Sequence, residues 1–267
     1  MRRIFGYISL AFIFFILISV WTLKIDNSLG YSEFVSGGAL FFIISFLFLF
    51  NMRKRLPFLP LWPAHKWFLL HTIMGFLALL LFWLHAGSLW PKGLYVQILA
   101  SLFYLTTLSG IVGLIMEKIY PNLLTRIGHE CIYERIPHDI AKIRKKSEKL
   151  ILECTEKTGS DTLAKHYLET LGWFFQRPRF FINNIFGGRD SHNWINQQCA
   201  ILERFLNEAE REYMKQIFTL AEIKIKIDHH YSLQTMLKNW LLIHIPLAAA
   251  AMVMAVWHLI VIQVYFN

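Results

Sequence analysis

Cysteine is scarce and scattered. The three thiols of this 267-residue chain, Cys131, Cys154 and Cys199, stand far apart, so no CxxC pair exists to hold zinc or an iron–sulfur cluster. The CxxCH signature that anchors a haem covalently is also missing. No GxGxxG loop occurs, which removes a nicotinamide- or flavin-nucleotide domain of that type. Acidic residues are few, 18 against 27 Lys and Arg, for a net charge of +9. That excess does not indicate nucleic acid. The basic residues sit largely beside apolar segments, where they set orientation and meet anionic lipid headgroups.

Apolar residues are abundant, at 55% of the chain with 16% aromatic, more than a soluble core of this length requires. The opening MRRIFGYISLAFIFFILISVW pairs a charged start with a long apolar run, as a signal peptide does. The run is long for such a peptide and no small-x-small cleavage site follows, so it reads as an uncleaved first span, about Ile4 to Leu23. A second span, about Phe34 to Phe50, completes an N-terminal transmembrane hairpin over 1–51. Residues 52–66 are basic and broken by Pro57, Pro60 and Pro63, which marks a cytoplasmic loop. A third span from Trp67 to Gly87 runs outward to an interfacial Trp90, and a fourth from about Leu94 to Met116 returns, the pair covering 67–116. Within the fourth, Ser109, Gly110 and Gly113 suit either the approach of a cofactor edge or ordinary helix packing.

Residues 117–238 are polar and helical in period. One helix is expected to end at Gly159, another to open with the capping residues Ser160 and Asp161, and a long one to begin near Asp190. This segment reads as a cytoplasmic helical domain, serving either to dock a partner or to brace the spans around it. Its FFINNIF stretch fits a packed loop or a segment lying on the membrane surface. Its histidines, His129, His138, His166, His192, His229 and His230, show no ligand spacing. A fifth span occupies 239–267, with Pro246 in its first turns. The fold class is therefore all-α: a polytopic membrane protein with five transmembrane helices, forming a helix bundle with a helical cytoplasmic insertion.

Two spans share a pattern. WFLLHTIMGFLALLLFWLHAG places His71 and His85 fourteen residues apart, and WLLIHIPLAAAAMVMAVWHLIVIQVY does the same with His244 and His258, each first histidine four residues after a tryptophan. Fourteen residues are nearly four turns, so each pair shares one helix face about 21 Å apart along the axis. The faces read His71, Gly75, Ala78, Phe82, His85 and His244, Ala248, Ala251, Ala255, His258. Small residues at this spacing let helices pack closely, and a lone intramembrane histidine can simply bond to a neighbouring helix. Four histidines in two matched pairs favour a planar haem ligated from both sides at each level, since ionisable groups in a bilayer are costly and rarely idle. Zinc fits poorly, because it requires its ligands clustered in one tetrahedral site. Lacking covalent anchors, the cofactors are two b-type haems. Arg53, Arg55, Lys66 and Lys238 on one side and Lys92 on the other are candidates for propionate pairing or for a purely topological role.

The pattern resembles the dihaem b-type membrane cytochromes, including the cytochrome b of quinol-oxidising complexes, and the stretch LSGIVGLIMEKIYPNLLTRIGHECIYERIP is similar to bacterial cytochrome b-like membrane proteins. The resemblance covers the third to fifth spans and implies a bis-histidine four-helix haem bundle, with His71 and His244 on one iron and His85 and His258 on the other. The insertion before the last span and the absence of a PEWY-like motif depart from a quinol-oxidation site. The expected function is an electron-transfer subunit carrying electrons across a prokaryotic cytoplasmic (inner) membrane, N-terminus cytoplasmic and C-terminus external. Its expected partners are membrane lipid, a quinone pool, and redox subunits carrying an iron–sulfur cluster, a flavin or a c-type haem. A self-contained ferric or quinone reductase of the cytochrome b561 type and a haem-free assembly or transport subunit are the alternatives.

Overall fold

The computed structural model describes residues 2–28, 31–50, 63–128 and 131–266. Arg53, Arg55, Pro57, Pro60 and His129 lie outside them, whereas the end of the expected loop is described and Ala64 already opens α3. The described chain is all-α: α1 Arg2–Asn27, α2 Ser32–Leu49, α3 Ala64–Ala86, α4 Leu94–Ile127, α5 Ile136–Thr158, α6 Thr162–His166, α7 Gly172–Gln176, α8 Phe181–Ile185, α9 Asp190–Leu202 and α10 Glu208–Phe266. A 3-10 turn precedes α5, and a π-helical stretch, Tyr167–Leu171, joins α6 to α7. Five helices, α1 to α4 and α10, are long and apolar enough to cross a membrane. Two compact units divide the chain, residues 1–114 with 240–267, and residues 115–239.

The first unit is built as a bilayer solvent demands. Long apolar helices satisfy their own backbone hydrogen bonds, and the side chains they leave outward are those lipid accepts. Leu10, Leu17, Phe42, Leu242 and Val253 are all more than 60% exposed, which water would not tolerate as a continuous surface. Inside, Leu40 and Ile43 of α2 interlock with Leu77, Leu81 and Phe82 of α3 and with Ala100 and Phe103 of α4. The Phe82 and Phe103 rings stack at 4.5 Å. Gly87 ends α3 in the left-handed conformation, φ +62°, and returns its N–H to the Trp83 carbonyl, a C-cap that a Cβ would strain. This is a multi-pass membrane protein.

The second unit has an ordinary water-soluble core. Along α5 the buried positions Ile136, Ile140, Ile143, Ser147, Ile151 and Cys154 keep to one face, while Arg144–Glu148 and Lys149–Glu153 pair four residues apart on the outside. Phe174 and Phe175 are fully buried at its centre, and Tyr167 bonds to Ser147 at 2.9 Å. The α5 helix ends at Gly159, as expected, with φ +67°. Asp161 precedes α6 but makes no cap bond; its carboxylate pairs with Lys165 instead. Phe180 and Asn184 of the FFINNIF stretch pack inward, whereas Ile182 and Phe186 project outward.

Two expectations are corrected. The long helix read as starting near Asp190 is two helices, because Asn207 and Glu210 form a reciprocal capping box that starts a new one. The Asn207 Oδ1 accepts from the Glu210 N–H at 2.8 Å, and Glu210 Oε2 accepts from the Asn207 N–H at 2.9 Å. Pro246, placed by the sequence in the first turns of a helix, lies deep inside the 59-residue α10. Lys238 marks a change in polarity but no break, since neither Gly nor Pro stands between Glu208 and Ile245.

Candidate functional site

A cavity of about 800 Å³ runs through the first unit between α2, α3, α4 and α10. Its size lies within the range of roughly 300–1,000 Å³ typical of cofactor sites. Both faces singled out in the sequence line it completely: His71, Gly75, Ala78, Phe82 and His85 from α3, and His244, Ala248, Ala251, Ala255 and His258 from α10. Apart from Phe82, the side chains between the histidines are no larger than a methyl group, which leaves the space open. Ala78 and Ala251 are buried, so their methyl groups pack rather than project.

At one level His85 and His258 face each other with ring centroids 6.4 Å apart and planes at 81°. Two imidazoles binding one metal from opposite sides, each nitrogen about 2 Å from it, hold their centroids roughly 6 Å apart. The spacing is therefore that of a bridged pair, although the protein alone sets it. Tyr95 of α4 stacks beside His258 at 6.0 Å. Ser36 of α2 approaches His85 Nδ1 with its hydroxyl at 3.2 Å. Gly37 is the floor of this level, since a Cβ there would lie 2.8 Å from His85 Cε1.

The other level holds His71 and His244, which line the same cavity. Phe50 lies against His71 at 4.6 Å. Trp240 stacks on His244 at 5.2 Å and donates its indole N–H to the Ser109 carbonyl at 2.8 Å, while the Ser109 hydroxyl lies 3.3 Å from His244 Nδ1. Gly113 opens the seat for Trp240, because a Cβ there would fall inside the indole ring. In the Ser109–Gly113 cluster, the packing reading is the one with contacts behind it: Gly113 seats Trp240, and Ser109 and Gly110 border His244. We expect Gly113→Val to displace Trp240 and free the His244 ring stacked on it, read as a shift of the His244 imidazole resonances in 15N-histidine-labelled protein.

Ser36 of α2 and Phe50 just beyond its end, and Tyr95 and Ser109 of α4, are each fourteen residues apart and each border one histidine; of these, the sequence reading singled out only Ser109. All four bordering helices therefore present the two levels with one spacing. The available signal for α2 was the triplet Ser36, Gly37, Gly38 in an otherwise bulky apolar run.

The donor set fits haem. Four imidazoles line one cavity in two opposed pairs, and the buried Nδ1 atoms of His71 and His258 have no hydrogen-bond partner among the described residues. No cluster of three or more His, Cys, Asp or Glu suited to a metal ion occurs among the described residues, which leaves nothing of the tetrahedral kind zinc prefers. In the second unit, His229 bonds the Ile225 carbonyl, Lys238 is held by Glu134 at 2.9 Å, and burial pushes the Cys199 thiol up to about 11, far from a reactive thiolate. Compared with protein-family models, curated proteins and solved structures, the chain matches none.

Proposed function

We propose that this protein is a dihaem b-type cytochrome that carries single electrons across a membrane. The observation that carries the reading is the cavity itself: every residue of both histidine faces lines it, with His85 and His258 opposed across 6.4 Å. An iron held axially by two protein imidazoles has no open position and supplies one-electron transfer rather than oxygen binding.

The chain's own residues prepare that role. His71 with His244, and His85 with His258, each close one level from opposite helices. Gly75 and Ala78 on α3, facing Ala248, Ala251 and Ala255 on α10, keep the slot flat enough for a macrocycle. Phe82, Phe103 and the α2 aromatics exclude water, lowering the local dielectric and so tuning potential by burial. In this reading the membrane is the inner membrane of a prokaryote, with the N-terminus cytoplasmic. Redox subunits and a quinone pool are the donor and acceptor, and the 117–238 segment is their docking platform.

Purified protein in liposomes loaded with ferricyanide tests the reading. With dithionite outside, the entrapped ferricyanide is expected to be reduced far faster than in protein-free vesicles. Haem-loaded protein that gives no such acceleration would overturn transmembrane transfer.

A further inference from the structure

The contact between Ser36 and His85 can run in two directions, and the bonds around Ser36 favour one. Ser36 is 1% exposed, and its Oγ lies 3.4 Å from the Ser32 carbonyl and 3.3 Å from the Glu33 carbonyl, one turn back on α2. A carbonyl can only accept, so when the hydroxyl follows the usual habit of a serine inside a helix its proton goes to one of these two oxygens. What the hydroxyl then offers His85 Nδ1, 3.2 Å away, is a lone pair. In that arrangement Nδ1 carries the hydrogen. A neutral imidazole protonated at Nδ1 keeps its free electron pair on Nε2.

We infer that Ser36 is a positioning residue for His85: by accepting from Nδ1–H it fixes the tautomer and rotation of the ring, so that Nε2 is presented as an electron-pair donor to haem iron. The inference rests on the dihaem reading and extends it to α2, which carries no histidine ligand. Gly37 supports the same geometry, because the ring lies where its Cβ would be. Ligating histidines are ordinarily oriented by such an acceptor, and its loss typically lowers metal affinity by about 10- to 100-fold. The Ser109 contact to His244 has no second hydrogen bond of its hydroxyl to set its direction, so the assignment is made for Ser36 alone.

Ser36→Ala and Ser36→Thr in the full-length protein test it, with two readouts. In haem-free protein labelled with 15N-histidine, the wild-type His85 should show a protonated Nδ1 and a bare Nε2. Ser36→Ala should shift it toward the Nε2–H form, and Ser36→Thr should restore the wild-type pattern. In haem-loaded protein, Ser36→Ala should weaken haem binding about 10- to 100-fold at the level that His258→Ala also removes. It should raise that haem's midpoint potential and alter its low-spin resonance, leaving the other haem unmoved. An Nε2–H tautomer in the wild type, or equal changes at both haems, overturns the role of Ser36. A wild-type protein that binds no haem overturns the dihaem reading instead, and the tautomer measurement still decides whether Ser36 sets the ring.

Discussion

His85→Ala and His258→Ala should each abolish the same haem, and His71→Ala and His244→Ala should each abolish the other. The expectation follows from the level at which each imidazole stands: His85 and His258 oppose each other across 6.4 Å, whereas fourteen residues separate each histidine from the second one on its own helix. Removing one axial ligand leaves a b-type haem, which has no covalent tether, with half its protein bonds. Potentiometric titration of the haem absorption band in the four variants would show one component missing in each, with identity set by level and not by helix. If His85→Ala and His244→Ala lost the same component, the pairing would be wrong.

The second large effect is expected in the second unit. Lys224 and Asp228 form a fully enclosed ion pair in the second unit, with Lys224 Nζ also donating to the Arg177 carbonyl at 3.0 Å and lying 4.0 Å from the Phe174 ring centroid. Asp228 also accepts from the Arg179 N–H at 3.2 Å. Burial pulls the Lys224 ammonium down to about 8 and pushes the Asp228 carboxyl up to about 6, since desolvation outweighs their mutual attraction. Their contact, with the Arg177 carbonyl on one side and the Arg179 N–H on the other, favours the charged pair. Asp228→Asn strands a buried ammonium and should cost roughly 3–5 kcal/mol, while the double change Lys224→Met with Asp228→Leu should recover most of it. Denaturant unfolding of the full chain in detergent, followed by hydrogen exchange in α5 and α10, measures both. A loss below about 1 kcal/mol, the range of an exposed pair, would contradict this account of the core.

These two cases also mark what a sequence can and cannot convey. The histidine faces are legible because two independent constraints coincide on them: a helical period that aligns the ligands, and small residues that keep the space between them open. Five spans are legible because a bilayer leaves the chain few alternatives. Lys224 and Asp228, in contrast, stand four residues apart on a helix, which in sequence reads as one more surface pair. Only the return of the chain through Phe174 and Arg177 encloses them. Ser36 and Gly37 are hidden for a similar reason, since small residues in a span signal close packing without saying against what. The α10 helix outruns the span it contains because a change from polar to apolar side chains alters the solvent a helix requires without interrupting its backbone bonds.

The central claim is that this cavity holds two haems without covalent attachment. Pyridine haemochrome analysis of the purified chain, set against its protein concentration, tests that most directly. The account predicts two b-type haems per chain, extractable by acid acetone. A chain purified under haem-replete conditions that contains no haem, or that retains it covalently, would contradict it.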